Sequence, residues 1–83
     1  MPELLRDDAD QSPLYAEICR FYIGQIAAGA IQPGELLPPA HRVASQHGTS
    51  TSTARRGLRL LAQLGWATPV PGYPYMALRP ERP

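Results

Sequence analysis

The stretch LPPAHRVASQHGTSTSTARRGLRLLAQLGWA, residues 37–67, decides how the rest of the chain is read. Gly48 divides it. On its N-terminal side a short helix is predicted from about Pro39 to Gln46, burying Val43 and Ala44 and stopping at Gly48, where glycine suits the left-handed backbone of a helix end. His47, Gly48 and Thr49 make the turn, and Ser50 stands where a hydroxyl caps a further helix that ends at Gly65. Two helices joined by a tight glycine turn predict a helix-turn-helix. The later helix has two unlike faces. With Ser52 at zero and about 100° per residue, Arg55, Arg56, Arg59 and Gln63 fall within about 60° of it, whereas Ala54, Gly57, Leu58, Leu61 and Leu64 cluster opposite. One face is polar and basic, and the other is core.

Working outward, Ser12 and Pro13 form a helix start signal, and Leu14, Ile18 and Tyr22 recur at helical spacing as a core-facing stripe, so a first helix is predicted to about Ala28, with Gly29 placed to stop it. The connector GAIQPGELLPP carries a Pro33-Gly34 turn and an extended stub at Leu36 and Leu37. After Gly65, WATPV and YPYMAL flank Pro71-Gly72 and read as a β-hairpin, weakened by Pro69 and Pro74. The fold class is therefore mainly α with a small β-hairpin: a winged helix-turn-helix of three helices plus a wing, spanning 12–78. Residues 1–11 are expected to form a loose acidic arm and 79–83 a tail. Trp66, opening the wing, is expected in the core.

Length and composition exclude most other classes. Eighty-three residues serve one core at most. Ten prolines and seven glycines break the chain into short pieces, and no apolar run approaches the length of a membrane span. The N-terminus MPELLRDDAD is acidic where a signal peptide is basic and then apolar, so the chain is expected in the cytoplasm. Cys19 is the only cysteine, and it has no partner for a disulfide and no companions at metal spacing. His41 and His47 lie near no carboxylate or nucleophile, and the chain has no phosphate loop, so neither catalysis nor a metal or cofactor is expected.

Charge is distributed unevenly. Glu3, Asp7, Asp8 and Asp10 crowd the first ten residues, while Arg42, Arg55, Arg56 and Arg59 lie between Leu36 and Trp66 with His41 and His47 and not one acid. Such a segment suits an anionic partner, although a solvated face has the same composition. On a helix-turn-helix that partner is double-stranded DNA. Arginine bridges phosphates or donates two parallel hydrogen bonds to guanine, and short serines and threonines at a helix start let backbone amides approach a phosphate.

SPLYAEI, the AAG…PGELLP connector, the ungapped stretch from Leu37 to Ala67 and the PG at the hairpin tip together resemble the DNA-binding domain of the GntR transcriptional regulators. The resemblance covers Ser12 to about Leu78. It implies a sequence-specific DNA-binding regulator, a repressor acting by promoter occupancy. The implied contacts come from Ser50, Thr51, Ser52 and Thr53 at the start of the third helix, and from Arg55 at the family's arginine position. Arg56 and Arg59 share that face, His41 and Arg42 open the second helix, and Gly72 and Tyr73 form the wing tip. Three features depart from the family pattern. His41 and Thr51 stand where the family usually or often has arginine. The wing, PVPGYP, has no cation. The effector or oligomerisation domain that normally follows is not in this chain, so no small-molecule effector is expected.

The first helix departs as well. Cys19, Phe21, Ile23 and Ile26 give it a second apolar stripe, which a homodimer partner, assembled in solution or on DNA, or another protein is expected to cover; the alternative cover is the chain's own arm or wing. The competing functional reading is a winged-helix interaction module that binds another protein through the first helix or the uncharged wing.

Overall fold

The computed structural model describes residues 13–80; the expected acidic arm and the end of the tail lie outside these residues. The elements are α1 (Pro13–Ala27), α2 (Ala40–His47), α3 (Thr51–Gln63), β1 (Ala67–Val70) and β2 (Tyr73–Ala77), the winged order of three helices followed by a hairpin.

α1 begins on Pro13, whose fixed φ and missing N–H cost nothing in a first turn. It ends as Gly29 turns to φ +86 and donates to the Ile26 carbonyl at 3.1 Å. Gln32 to Glu35 then form a tight turn around Pro33-Gly34. Glu35 N–H donates to Gln32 O at 3.0 Å, and Gly34 holds φ +94, the geometry in which proline leads and glycine follows. α2 ends in a paired terminal motif, with Gly48 N–H donating to Ser45 O at 3.4 Å and Thr49 N–H to Ala44 O at 2.9 Å across a left-handed Gly48.

β1 and β2 pair antiparallel, with Ala67 opposite Ala77 and Thr68 opposite Met76, and the register then slips between Thr68 and Val70. Pro69 and Pro74, expected to weaken the hairpin, both fall in this slipped interval, where a missing N–H is tolerated. The stub at Leu36 forms an isolated antiparallel bridge on the far side of β2. Leu36 bridges Met76, Leu37 N–H donates to Tyr75 O at 2.9 Å, and Ala77 N–H donates to Glu35 O at 2.7 Å. The wing is thus tied to the connector along its inner strand.

A single core joins Ile18, Cys19, Tyr22 and Ile26 of α1 to Leu37, Val43, Ala44, Ala54, Leu58, Leu61, Ala67 and Ala77. This corrects the expected division of α1 into two stripes. Cys19 is 2% exposed and Ile26 0%, so both are core residues of this chain and neither offers a surface to a partner; Leu14, expected inside, is 39% exposed. The buried arc is rotated because α1 packs closely on α3. A Cβ placed on Gly57 would lie 2.8 Å from the Tyr15 carbonyl oxygen and 3.0 Å from Ile18 Cγ2, so only glycine allows this approach. Leu64, assigned to the core side by angle, is 52% exposed, because α3 stops at Gln63 and Leu64 is already the C-cap. Trp66 is partly buried against the core.

Candidate nucleic-acid interface

The site is built on α3, and Ser50 sets where that helix starts. Its hydroxyl accepts from Thr53 N–H at 3.1 Å and donates to Thr53 Oγ1 at 3.0 Å. This satisfies one of the amides that a helix start leaves open, and the preceding Thr51 and Ser52 amides stay free of the cap. Thr53 is only 7% exposed. Its hydroxyl partners the cap, so little of the side chain is left over for the DNA contact expected of it. Ser50 has a structural task as well, since its hydroxyl is committed to Thr53. Thr51 is half-buried, and Ser50 and Ser52 are exposed, so of the four residues expected to open the interface, Ser52 is the exposed one whose hydroxyl is not engaged in the cap.

Arg55, Arg56 and Arg59 are all exposed, while Ala54, Gly57, Leu58 and Leu61 of the same helix are buried, as the angular reading requires. Ser52, Thr53, Arg55, Arg56 and Arg59 line one shallow cleft; a second, beside it, is lined by Tyr15, Arg56, Arg59, Leu60 and Gln63. From Leu36 to Pro80 the chain has no aspartate or glutamate, so no carboxylate in that span competes for the guanidiniums. On α2, His41 and Arg42 are both exposed in the first turn.

Two interactions escaped the sequence reading. The Arg56 guanidinium lies over the Tyr15 ring, 4.8 Å from its centroid; helical periodicity places each residue on its own helix but says nothing of how two helices cross. Arg79 donates from Nη2 to the Ala27 carbonyl at 3.3 Å. It caps the C-terminus of α1, where a cation also meets the negative end of the helix dipole.

Gly72 turns the hairpin at φ +81 and is exposed; the Tyr73 side chain lies outside what the structure describes. Of the stripe expected on α1, Phe21 remains, 45% exposed. Its ring packs edge-on against Tyr22 and against His47, both at 5.0 Å between centroids. Ile23 is half-buried against the core. Burial raises the Cys19 thiol above its ordinary value, with neighbouring Arg20 partly opposing, and burial likewise raises the Tyr22 hydroxyl. Among the described residues no three His, Cys, Asp or Glu side chains gather as a metal site, and no helix is long and apolar enough to cross a membrane.

These features define a winged helix-turn-helix domain with a basic, acid-free recognition face. The chain belongs to the gntR family of bacterial regulatory proteins, matching that family over residues 14–74. It is similar to the HTH-type transcriptional regulator TreR of Bacillus subtilis (strain 168), with 36% identity over 58 residues, covering 70% of this chain and 24% of TreR. The chain thus spans about a quarter of the length of that curated relative. Among solved structures it is similar to YtrA from Sulfolobus acidocaldarius, a GntR-family transcription factor, at TM-score 0.75 and 27% identity, covering 84% of this chain and 73% of that one. It is also similar to the NTD of AraR in the crystal structure of its complex with mutant ORR3, at TM-score 0.73 and 26% identity, covering 78% of this chain and 93% of that one.

Proposed function

We propose that this chain binds double-stranded DNA in a sequence-specific way as the reading part of a transcriptional regulator, and that it represses by occupying a promoter in the cytoplasm. One observation carries the reading. α3 follows a glycine turn, buries one face, and presents Ser52, Arg55, Arg56 and Arg59 on the other with no carboxylate from Leu36 to Pro80. A helix so presented enters the major groove, Arg55 donating to base edges and its neighbours to phosphates. TreR and YtrA, described as a transcriptional regulator and a transcription factor, support it. The reading requires no enzymatic step, metal or cofactor, and no small-molecule effector within this chain.

Assembly follows from affinity. One helix reading a few base pairs beside an uncharged wing tip falls short of the ~10⁻⁸ M of specific regulators, and two copies on half-sites one turn apart supply the difference. A homodimer is therefore part of the proposal. With Cys19 and Ile26 in the core, α1 contributes Phe21 and the exposed part of Ile23 to any such contact.

The interaction-module reading has one observation in its favour, the half-exposed Phe21 on a face that DNA does not need. Footprinting on the DNA upstream of the chain's own coding region, at fixed salt, separates the two. A protected stretch that disappears with Arg55→Ala supports DNA reading; no protection by the parent protein leaves the interaction module.

A further inference from the structure

Arg55 and Arg56 are neighbours in sequence but lie about 100° apart around α3, on either side of Arg59; all three border one cleft with Ser52 and Thr53, and Arg56 and Arg59 also line a second. The flank of Arg56 is the one beside α1. There Gly57 brings the helices together, with the Tyr15 carbonyl 2.8 Å from where a Cβ would stand, and the Arg56 guanidinium rests over the Tyr15 ring at 4.8 Å. The cleft at this junction is lined by Tyr15, Arg56, Arg59, Leu60 and Gln63. Glu17, the nearest acid on α1, lies about 200° around that helix from Tyr15.

A major groove about 12 Å wide admits one helix, and its walls are sugar-phosphate backbones. The flank of α3 next to α1 cannot sink to the base edges, because α1 itself would meet the wall. We infer that Arg56, Arg59 and Gln63 form a seat for one DNA backbone phosphate at the rim of the groove, and that Tyr15 is the positioning residue that holds Arg56 for it. A guanidinium stacked on a ring keeps its in-plane N–H donors for another partner. The stacked side chain has also given up rotamer freedom before DNA arrives, so less is lost on binding. Arg55, which does not line the cleft beside α1, is left to read bases. This inference rests on the DNA reading proposed above.

The test uses a duplex selected from a random-sequence pool by the parent protein and a mixed-sequence duplex of the same length, each titrated over a salt series. Arg56→Gln is expected to weaken both duplexes by the same factor and to make the slope of log K against log[salt] shallower by about 1. Tyr15→Leu is expected to weaken both by about three- to tenfold, to leave the parent's preference between them intact, and to have no further effect once Arg56 is glutamine. Tyr15→Phe, which keeps the ring, is expected to bind as the parent does. Equal losses from Tyr15→Leu in the presence and absence of Arg56 overturn the positioning role. An Arg56→Gln protein that loses sequence preference at an unchanged salt slope overturns the phosphate seat, and because Arg56 is exposed this variant keeps the fold even if Tyr15→Leu does not. A parent that enriches no duplex from the pool and does not bind the mixed-sequence duplex overturns the DNA reading itself, whereas Arg55-dependent preference with an inert Tyr15 overturns only this inference.

Discussion

Arginine 55 and threonine 53 are two residues apart on the same helix, and burial gives them different work. Arg55 is exposed and Thr53 is nearly inaccessible. Replacing Arg55 by alanine should cost about 1–3 kcal/mol of affinity for the specific site while the thermal midpoint stays put, since no core contact is removed. Equal titration curves for parent and variant at one salt concentration would sink the assignment. Ser50→Ala should act the other way, lowering the midpoint through the loss of a cap worth about 0.5–2 kcal/mol and leaving the buried Thr53 hydroxyl without its donor. Its measure is a melting curve without DNA, and an unchanged midpoint would show that the cap contributes nothing to α3.

At the scale of elements, the α1–α3 crossing controls the domain, and Gly57 controls the crossing. Alanine is favoured over glycine in a helix by about 1 kcal/mol. Here its Cβ would meet a backbone oxygen at 2.8 Å, which no rotamer change relieves, and overpacking of this kind costs about 1–3 kcal/mol or more. Gly57→Ala is therefore expected to be destabilising, with the midpoint falling about 4–8 °C for each kcal/mol lost. A midpoint that rises would mean that helix propensity wins and that the two backbones are not pressed together.

Across the whole molecule, few cations face the proposed partner. Arg42, Arg55, Arg56 and Arg59 can neutralise at most about four phosphates per chain, so the salt slope should be no steeper than roughly −4. Arg79 adds nothing to this because it caps α1. The pH dependence of stability follows from Cys19 and Tyr22, whose folded values are raised above the ordinary 9.0 and 10.0 by burial. A raised acid is fully stabilising below its ordinary value, and that contribution is lost as pH climbs toward the folded value, because only the unfolded chain ionises freely. The midpoint should hold up to about pH 9 and fall above it, and Cys19→Ala should remove the earlier part of the fall while leaving that of Tyr22. Melting curves from about pH 8 to 11 on both proteins check this; identical profiles would exclude Cys19.

Local signals were enough to determine the element order, the Gly48 turn, the Ser50 cap and the basic face of α3, because each depends on the composition and spacing of neighbouring residues. The hairpin was legible for the same reason, with Gly72 at its turn. What the tertiary structure decided depends on where helices cross. The sequence placed Cys19 and Ile26 on an outward stripe, but α1 is apolar nearly all round, and only its docking on α3 at Gly57 and onto the common core fixes which arc is buried. The same docking places the Tyr15 ring under Arg56. Thr53 turned inward because a hydroxyl at a helix start serves either a cap or a ligand, and spacing alone does not choose. Arg79 found the end of α1 only because β2 runs along the connector and delivers the chain there. Periodicity fixes a residue's angle on its own helix, and the angle between helices is set by side-chain packing that brings together residues far apart in sequence.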